Sequence, residues 1–412
     1  MASNRLKSID ILRALTMLLM IFVNDLWTLR DVPDWLGHTA AHEDGMGLAD
    51  VVFPAFLFIV GLSIPHAIRA RLKKGDSKIQ VFRHIIERSL ALLIMGVFMV
   101  NLENINSQEL LYSRVLWQIL MTTAFFLIWN IYRGPVFGRM SPWILKGLGW
   151  AILLFLAITY TGRGQEESQW MRFHWWGILG LIGWGYLLSA LVYLALGNRP
   201  VWISLVFILL IILNINEFKT PFNFTLKLVV SASNHALVMG GVVVTSVMLS
   251  LREKDKMQLL VPFLLVFAAV LMLFGYLSRP VWGISKIMAT PSWTAICAGI
   301  TAMGFALMYL LADKANQYID AEQPWVLAKQ EGRDRALQDI CSKGLNLVRI
   351  LVGYLRPILP GMVKKSEAFL RIEPLTWHEL AEPLVNHEIA AFKPLMTRIE
   401  QQDVEAMIEH SK

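Results

Sequence analysis

Long apolar runs separated by short charged loops dominate the first three quarters of the chain. Ten runs approach the roughly 20 apolar residues that a membrane-spanning helix needs. They lie at about residues 9–27, 49–68, 87–101, 113–132, 143–160, 175–196, 200–214, 228–250, 258–277 and 292–312. Backbone polar groups in lipid must be hydrogen-bonded internally, so each run predicts a helix. The pattern therefore predicts an all-α, polytopic transmembrane helix bundle of about ten spans over residues 1–311.

The last hundred residues follow a different pattern, rich in Lys, Glu, Asp, Gln and Arg. Apolar positions recur at three- and four-residue spacing between Leu337 and Tyr354, which is typical of a helix with one apolar face. Pro357 and Pro360 would end that helix, and another amphipathic helix is predicted over about 395–410. Residues 312–412 therefore predict a second domain, a partial soluble helical bundle.

Composition supports a membrane protein. The chain is 56% hydrophobic and 17% charged, whereas a soluble domain carries about 25% charged residues. The net charge of +7 does not by itself indicate nucleic acid, because membrane proteins collect Lys and Arg in cytoplasmic loops. The two cysteines, Cys297 and Cys341, predict neither a disulfide framework nor a metal site. The first apolar run has no small-residue cleavage site, so it is interpreted as a retained helix.

The distribution of basic residues predicts the orientation. Seven Lys and Arg side chains lie between Arg69 and Arg88, and further basic residues flank alternate loops on the same side. The opposite side has about half as many, which places the N-terminus in the cytoplasm. Ten spans then place the tail there as well. We expect a multi-pass protein of the bacterial inner membrane, with membrane lipid around it.

Four groups of polar residues near the membrane are functional candidates, because ionisable side chains in this setting are costly. Asn24 ends the first run, and His38 and His42 lie in the first outer loop. Asp50 opens the second run, and His235 lies within the eighth. A histidine beside a carboxylate can act as a general base near neutral pH. Each also has a structural explanation: a solvated loop histidine, a helix cap at Asp50, or a histidine bonded to a neighbouring helix.

An ordered set of sequence blocks extends over about residues 5–312. The blocks are SIDILRALTM (8–17), FVN (22–24), a loop histidine, GLADVVFPAFLFIVG (47–61), RVLWQIL (114–120), WWGILG (175–180), HALVMGG (235–241), SKI (285–287) and TPSW (290–293). In these blocks the chain resembles the membrane acyltransferases related to heparan-α-glucosaminide N-acetyltransferase, and especially their bacterial relatives of undefined substrate. Two departures accompany the resemblance: an Arg-Gly pair of that family reads Arg13-Ala14 here, and a further apolar segment that follows the tenth span in the family is missing.

The resemblance implies transfer of an acetyl group from cytosolic acetyl-CoA to a glucosamine amine across the membrane, without a metal. It assigns catalysis to an outer-loop histidine helped by an Asn at the end of the first span. Asn24 matches that Asn, and His38 is the better match for the histidine, with His42 as second choice. Asp50 completes the proposed catalytic set. His235 and Lys286, which lie in matched blocks, are expected to bind substrate or acyl-CoA.

The tail from about residue 312 contains a Pro324-Trp325 pair and, later, the blocks NHEI (386–389) and FKPL (392–395), followed by Arg398-Ile399. In these residues it resembles the anticodon-binding helical domain of bacterial methionyl-tRNA synthetase. In that family a Pro-Trp pair stacks on an anticodon base and an Asp assists, which here implies Pro324, Trp325 and Asp320. Stacking on an aromatic ring is the usual way to hold a splayed RNA base. The domain's first helices and the synthetase's ATP site are absent, so aminoacylation is not expected.

Three functions follow as alternatives. The first is an acyl-CoA-dependent acyltransferase acting on an extracytoplasmic amino sugar or glycan. The second is a nonenzymatic tRNA-binding fragment tethered to the membrane. The third is a transporter-like membrane protein without chemistry. The change of pattern near residue 311 is compatible with a natural fusion and with a chimera made during sequence assembly or by gene disruption. The sequence leaves open whether the protein forms a homo-oligomer.

Overall fold

The structure, a computed structural model, describes residues 6–132, 141–164, 169–218, 228–356, 360–374, 382–391 and 393–394. Each of the ten predicted apolar runs is helical in it. The helices are α1 (Lys7–Asp25), α2 (Leu48–Lys73), α3 (Lys78–Glu103), α4 (Arg114–Trp129), α5 (Pro142–Ile158), α6 (Ile178–Leu196), α7 (Pro200–Asn216), α8 (Ala232–Glu253), α9 (Leu260–Trp282) and α10 (Pro291–Met308). Within the described ranges, β-structure is limited to isolated bridges. The all-α prediction is confirmed.

Six described helical segments are long and apolar enough to cross a membrane; they begin with α2, α3, α6, α8, the turn before α9, and α10. The apolar helices α4, α5 and α7 are shorter. Helix α1 carries charged residues at Lys7, Asp10, Arg13 and Asp25, which lowers its membrane-spanning character. These helices describe a multi-pass membrane protein, and the count of ten spans stays a prediction.

Local sequence explains where helices begin. Helix α3 starts at Lys78, well before the apolar run at residue 87, because Ser77 and Gln80 form a capping box. The Gln80 N–H donates to the Ser77 hydroxyl at 3.2 Å, and the Ser77 N–H donates to the Gln80 side chain at 2.7 Å. Such reciprocal bonds satisfy donors that the first helical turn leaves open. Of the seven basic residues between Arg69 and Arg88, all but Lys74 therefore lie within helices α2 and α3.

The degree of burial orders the helices from centre to periphery. Helix α8 contacts α2, α6 and α7, and 83% of its most apolar stretch is buried. Helix α9 is the more apolar of the two, yet only 22% of its corresponding stretch is buried. This inversion is expected in lipid, where an outward face must be apolar while small and polar residues gather between helices.

Glycines allow α2 and α8 to approach closely. A Cβ atom added to Gly61 would lie 1.9 Å from the Val238 carbonyl oxygen, and one added to Gly241 would lie 2.0 Å from the Phe58 carbonyl oxygen. Both obstructions are backbone atoms, which cannot move aside as a flexible side chain can. The contact between the two helices therefore depends on glycine at both positions.

Residues after Met308 form a second compact unit, with the division between Met308 and Tyr309. A π-helical turn (Tyr309–Lys314) precedes α11 (Ala315–Glu322), α12 (Pro324–Leu327), α13 (Asp334–Leu355) and α14 (Pro360–Leu370). Helix α13 contacts α11, α12 and α14, and Arg356 pairs with Glu367. The predicted helix ending before Pro357 is thus present, whereas the helix predicted over 395–410 lies outside the described residues. The identity of this unit as an anticodon-binding domain stays a prediction.

Substitution of Gly61 by alanine should destabilise the membrane unit. Overpacking a close contact costs roughly 1–3 kcal/mol, and here the added methyl group meets backbone. We expect a lower melting temperature in detergent and less monodisperse protein by size-exclusion chromatography. Gly147→Ala on α5 is the matched control, because nothing lies within 4 Å of its added Cβ. Equal melting temperatures for the two variants would contradict the close contact.

Candidate functional site

The carboxylate of Asp50 organises the loop between α1 and α2, which is called the first outer loop here after its predicted orientation. Asp50 lies in the first turn of α2 and is buried. Its Oδ2 accepts hydrogen bonds from the Thr39 N–H at 3.0 Å and the Gly47 N–H at 3.1 Å. Its Oδ1 lies 2.7 Å from His38 Nδ1. Asp50 is therefore a helix cap and a partner of His38 at once, so the two alternatives raised by the sequence do not compete.

The hydrogen bonds around Asp50 determine which ring nitrogen of His38 carries the proton. Hydrogen bonds to a carboxylate favour its ionised form, and an ionised carboxylate can only accept. We therefore assign the proton to His38 Nδ1, which leaves the lone pair on Nε2. The His38 side chain is 50% exposed. This arrangement gives an accessible base whose ring is oriented by a buried acid.

Lys286 approaches the same pair from the loop between α9 and α10. Its Nζ lies 3.3 Å from His38 Nδ1, 3.5 Å from the Ala49 carbonyl oxygen and 3.9 Å from Asp50 Oδ1. Burial lowers the pKa of Lys286 below its usual value, and the charge of Asp50 opposes that change. The sequence prediction placed Lys286 at a binding site, and the structure brings it to the proposed base.

A network of hydrogen bonds holds that loop in place. Asp44 accepts from Arg279 Nε at 2.8 Å and from the Ile284 N–H at 2.7 Å. The Gly45 N–H donates to the Ile284 carbonyl at 3.0 Å, and the Ser285 hydroxyl donates to the Ala41 carbonyl at 2.9 Å. These bonds join the first outer loop to the segment that carries Lys286.

His38 lies in the wall of a cavity of about 670 Å³, here called the histidine cavity. Asn24 at the end of α1 also lines it, as does Lys286. With its proton on Nδ1, His38 donates to Asp50, and Lys286 Nζ lies near that nitrogen without a hydrogen bond to it. Further wall residues come from the segment before α6 and from helices α8 and α10: Phe173, His174, Trp175, Trp176, Asn234 and Trp293. The wall of the histidine cavity therefore combines aromatic rings with a few polar side chains.

The other predicted residues are placed elsewhere. His42 is exposed and lines a separate cavity of about 830 Å³ together with Glu43, Asp44 and Glu217. His235 is buried in α8, and its neighbour Asn234 reaches the histidine cavity. The structure therefore brings together His38, Asn24, Asp50 and Lys286, and separates them from His42 and His235.

Sequence reasoning missed several cavity residues. Asn234 adjoins His235, and the sequence criterion of ionisable residues near the membrane selects only the histidine. Trp293 is buried and donates from Nε1 to the Asp50 carbonyl at 3.1 Å, so it supports the start of α2. His174 sits in an aromatic run. The blocks WWGILG and TPSW adjoin or contain these residues, but spacing alone did not indicate which side chains would face the cavity.

A second cavity, here called the arginine cavity, has a volume of about 990 Å³. Its wall residues on α2 lie between Phe56 and Lys73, toward the C-terminal end of that helix. Helices α1, α2, α6 and α8 contribute to both cavities. Their nearest wall residues on α2, Phe53 and Phe56, are about one turn apart, and the basic wall residues of α2 lie further along that helix. Basic side chains outnumber acidic ones in its wall: Arg13, Arg69, Lys73, Arg88 and Arg252 against Asp10 and Glu253. The arrangement suits an anionic ligand.

In the second unit, α11 carries Asp320, and α12 begins with Pro324 and Trp325. Gln323, between the two helices, adopts a left-handed conformation with φ of 44°. Trp325 is 52% exposed, so its ring is not a buried core residue of the unit. The three predicted residues lie within one short segment.

Residues 5–170 match the family described as Heparan-alpha-glucosaminide N-acetyltransferase, catalytic. The match includes Asn24, His38 and Asp50, and it covers less than half of the chain. It supports the acyltransferase-like part of the sequence prediction and does not reach the tail. The chain is therefore similar, over its first helices, to a membrane acetyltransferase catalytic region.

Asp44 should keep the first outer loop ordered across the physiological pH range. The hydrogen bond from Arg279, followed by that from Ile284, lowers the pKa of Asp44 below its ordinary value of 3.8. A lowered pKa means that the stabilisation is fully present above that ordinary value and is lost only as the pH falls through the lowered one. Hydrogen–deuterium exchange of residues 40–47, corrected for intrinsic rates, should therefore show equal protection at pH 7 and pH 5.

Asp44→Asn removes the charged acceptor and should raise exchange in that segment at both pH values. Asp31→Asn, on the same loop and exposed, is the matched control and should leave exchange unchanged. Protection that already falls between pH 7 and pH 5 in the unsubstituted protein would contradict the assignment.

Proposed function

We propose that the membrane unit transfers an acetyl or other acyl group from cytosolic acyl-CoA to an extracytoplasmic amino sugar. The observation that carries the proposal is His38, bonded to Asp50, in the wall of one cavity, together with a basic cavity lined by residues further along α2. The family match over residues 5–170 supports the same reaction class. In this proposal the histidine cavity receives the acceptor and the arginine cavity receives the phosphates of CoA.

The chemistry follows from the assigned proton positions. His38 Nε2 removes a proton from the acceptor amine as the amine attacks the thioester carbonyl, and Asp50 stabilises the imidazolium that forms. The C–N bond forms, the C–S bond breaks, and the thiolate of CoA takes up a proton as it leaves. His38 as an acyl relay is the alternative route, in which the ring first accepts the acyl group and the amine then removes it.

The cavity walls assign roles to the remaining residues. Asn24 binds a hydroxyl group of the acceptor or orients it toward His38, since an amide both donates and accepts. The exposed rings of Phe173 and Trp176 stack against the apolar face of a sugar. Arginine recognises phosphate through paired N–H donors, so the arginine cavity suits the diphosphate of CoA. In this proposal the uncharged pantetheine arm reaches from the arginine cavity toward the histidine cavity, past the apolar residues Phe53 and Phe56.

The orientation that this function needs agrees with the basic-residue distribution. Arg69, Arg71 and Lys73 lie near the end of α2, on the side predicted to be cytoplasmic, and the His38 loop lies at its other end. Acyl-CoA would then enter from the cytoplasm and the acceptor from outside.

Replacement of His38 by alanine should lower acyl transfer about 10²–10⁴-fold, as expected for loss of a general base. The assay follows labelled acetyl from acetyl-CoA to glucosamine in proteoliposomes, with expression checked by chromatography. His42→Ala is the matched control from the same loop and should retain most activity. Unchanged turnover in the His38 variant would refute the assignment, and a His42 variant without activity would move the role to that residue.

Arg88→Gln should weaken the binding of acetyl-CoA more than that of S-acetylpantetheine, which has no diphosphate. Arg88 lines the arginine cavity and lies over the Tyr186 ring at 5.3 Å. Loss of a charge-assisted phosphate contact should raise KM for acetyl-CoA roughly tenfold, an effect of about 1.4 kcal/mol. Arg83→Gln is the control, because Arg83 is on the same helix but exposed and paired with Glu87. An equal effect on both donors would contradict phosphate binding here.

The exposure of Trp325 favours a second proposal, weak tRNA binding by the tail. One stacked base is worth roughly 1–3 kcal/mol, so Trp325→Ala should reduce affinity about tenfold or more while Trp325→Phe retains it. The remaining attraction should come from Lys and Arg contacts to phosphate and fade with salt. Full-length protein in detergent can be titrated with initiator and unrelated tRNA at two salt concentrations. Equal binding by the Trp325→Ala variant would refute the stacking role, and tight, salt-resistant discrimination by the unsubstituted protein would show a complete anticodon reader.

A further inference from the structure

Lys286 is an amine placed inside the proposed reaction cavity. It lines the histidine cavity together with His38 and Asn24, and its side chain is only 24% exposed. The distances from Nζ to His38 Nδ1 and to Asp50 Oδ1 are 3.3 Å and 3.9 Å. An acyl thioester presented to His38 would therefore also meet this amine.

We propose that Lys286 is a self-acylation site: in the absence of an external acceptor, its Nζ takes the acyl group of a thioester bound in the histidine cavity. The inference rests on the proposed acyl-transfer function, and it adds a modification site with a consequence for regulation. Acylation would replace a cation beside the His38–Asp50 pair with a neutral amide that occupies part of the cavity.

The step balances without another reactant. The Lys286 ammonium passes a proton through solvent to His38 Nε2, the ring nitrogen with the lone pair, and the neutral amine attacks the thioester carbonyl. The C–N bond of an amide forms as the C–S bond breaks, the amine nitrogen loses its second proton, and the released thiolate takes a proton. The products are Nε-acyl-Lys286, a free thiol and one proton, with no change in oxidation state.

The surroundings make Lys286 more reactive than a surface lysine. An amine attacks only in its neutral form, and burial in an apolar setting increases that form. Burial lowers the pKa of Lys286 in this structure. The exposed lysines Lys74 and Lys78 lie outside the cavity and lack a neighbouring His–Asp pair among their described contacts. Reactivity should therefore be concentrated at Lys286.

Acylation of Lys286 would make the turnover of the site depend on the concentration of acceptor. When acceptor is abundant, its amine competes for the thioester and Lys286 stays unmodified. When acceptor is scarce, acylation of Lys286 removes the charge and narrows the cavity, which lowers later turnover. An amide is stable, so activity would return only through a separate deacylase or new synthesis.

The test uses full-length protein in detergent, incubated with isotope-labelled acetyl-CoA and, separately, with S-acetyl-N-acetylcysteamine, a simple thioester that needs no CoA site. Peptide mass spectrometry gives the labelling rate of each lysine. We expect Lys286 to be labelled on the order of tenfold faster than Lys74 and Lys78, with a large slowing in His38→Ala and Asp50→Asn, as for loss of a general base. Added glucosamine should protect Lys286, and Lys286→Arg should remove the signal at this position.

Each outcome separates the inference from the proposed function. Labelling of Lys286 at the rate of Lys74 and Lys78 with both thioesters overturns the inference, even if transfer to glucosamine is observed. Selective labelling that depends on His38 supports it, even if no sugar is acetylated, in which case the proposed acceptor fails alone. Fast labelling that is unchanged in His38→Ala would show a reactive lysine that does not use the pair, and it would overturn the mechanism stated here.

Discussion

The buried carboxylate of Asp50 is the interaction on which the candidate site depends. A charge at the start of a membrane helix is costly unless it is satisfied, and here three donors converge on it: Thr39 N–H, Gly47 N–H and His38. The same bonds cap α2, close the first outer loop and turn the imidazole toward a cavity. Structure and proposed chemistry are therefore coupled, because a change that releases Asp50 would release the helix start and the base together.

The helix packing places this carboxylate where two cavities can share the same walls. Gly61 and Gly241 let α2 and α8 approach until backbone atoms are in contact, and α8 is buried on most sides as a result. Two cavities remain beside that tight contact, one lined by His38 and one by arginines, with α1 and α6 contributing to both. The tightly packed α2–α8 pair thus has open space toward either end, as the proposed acyl transfer requires.

Much of the fold could be predicted from sequence because the bilayer imposes it. Each of the ten apolar runs is helical, since lipid leaves the backbone no other way to satisfy its polar groups. Helix α3 began earlier than predicted because a capping box, and not hydrophobicity, determines its first turn. The apolar pattern also could not indicate that α9 is peripheral and α8 central, because both are apolar runs of sufficient length.

The candidate site was only partly predictable. Asn24 and Asp50 are polar residues at the edges of apolar runs, and His38 lies in the loop between those runs. The contact of His38 and Asp50 with Lys286, 248 residues from His38, depends on the bonds from Asp44 and Ser285 that join distant loops. Asn234 and not His235 reaches the cavity, a difference of one residue on a helix that periodicity does not resolve when the whole helix is buried. The exposure of Trp325 likewise follows from packing within the second unit.

Sided proteoliposomes test most directly whether an acyl group passes between the two sides of the membrane. Vesicles of known protein orientation would carry labelled acetyl-CoA on the side of the arginine cavity and glucosamine only on the side of the His38 loop. We expect N-acetylglucosamine on the glucosamine side, free CoA on the other, and no product when the two substrates exchange sides. Equal product in both arrangements, or product only on the acetyl-CoA side, would contradict it.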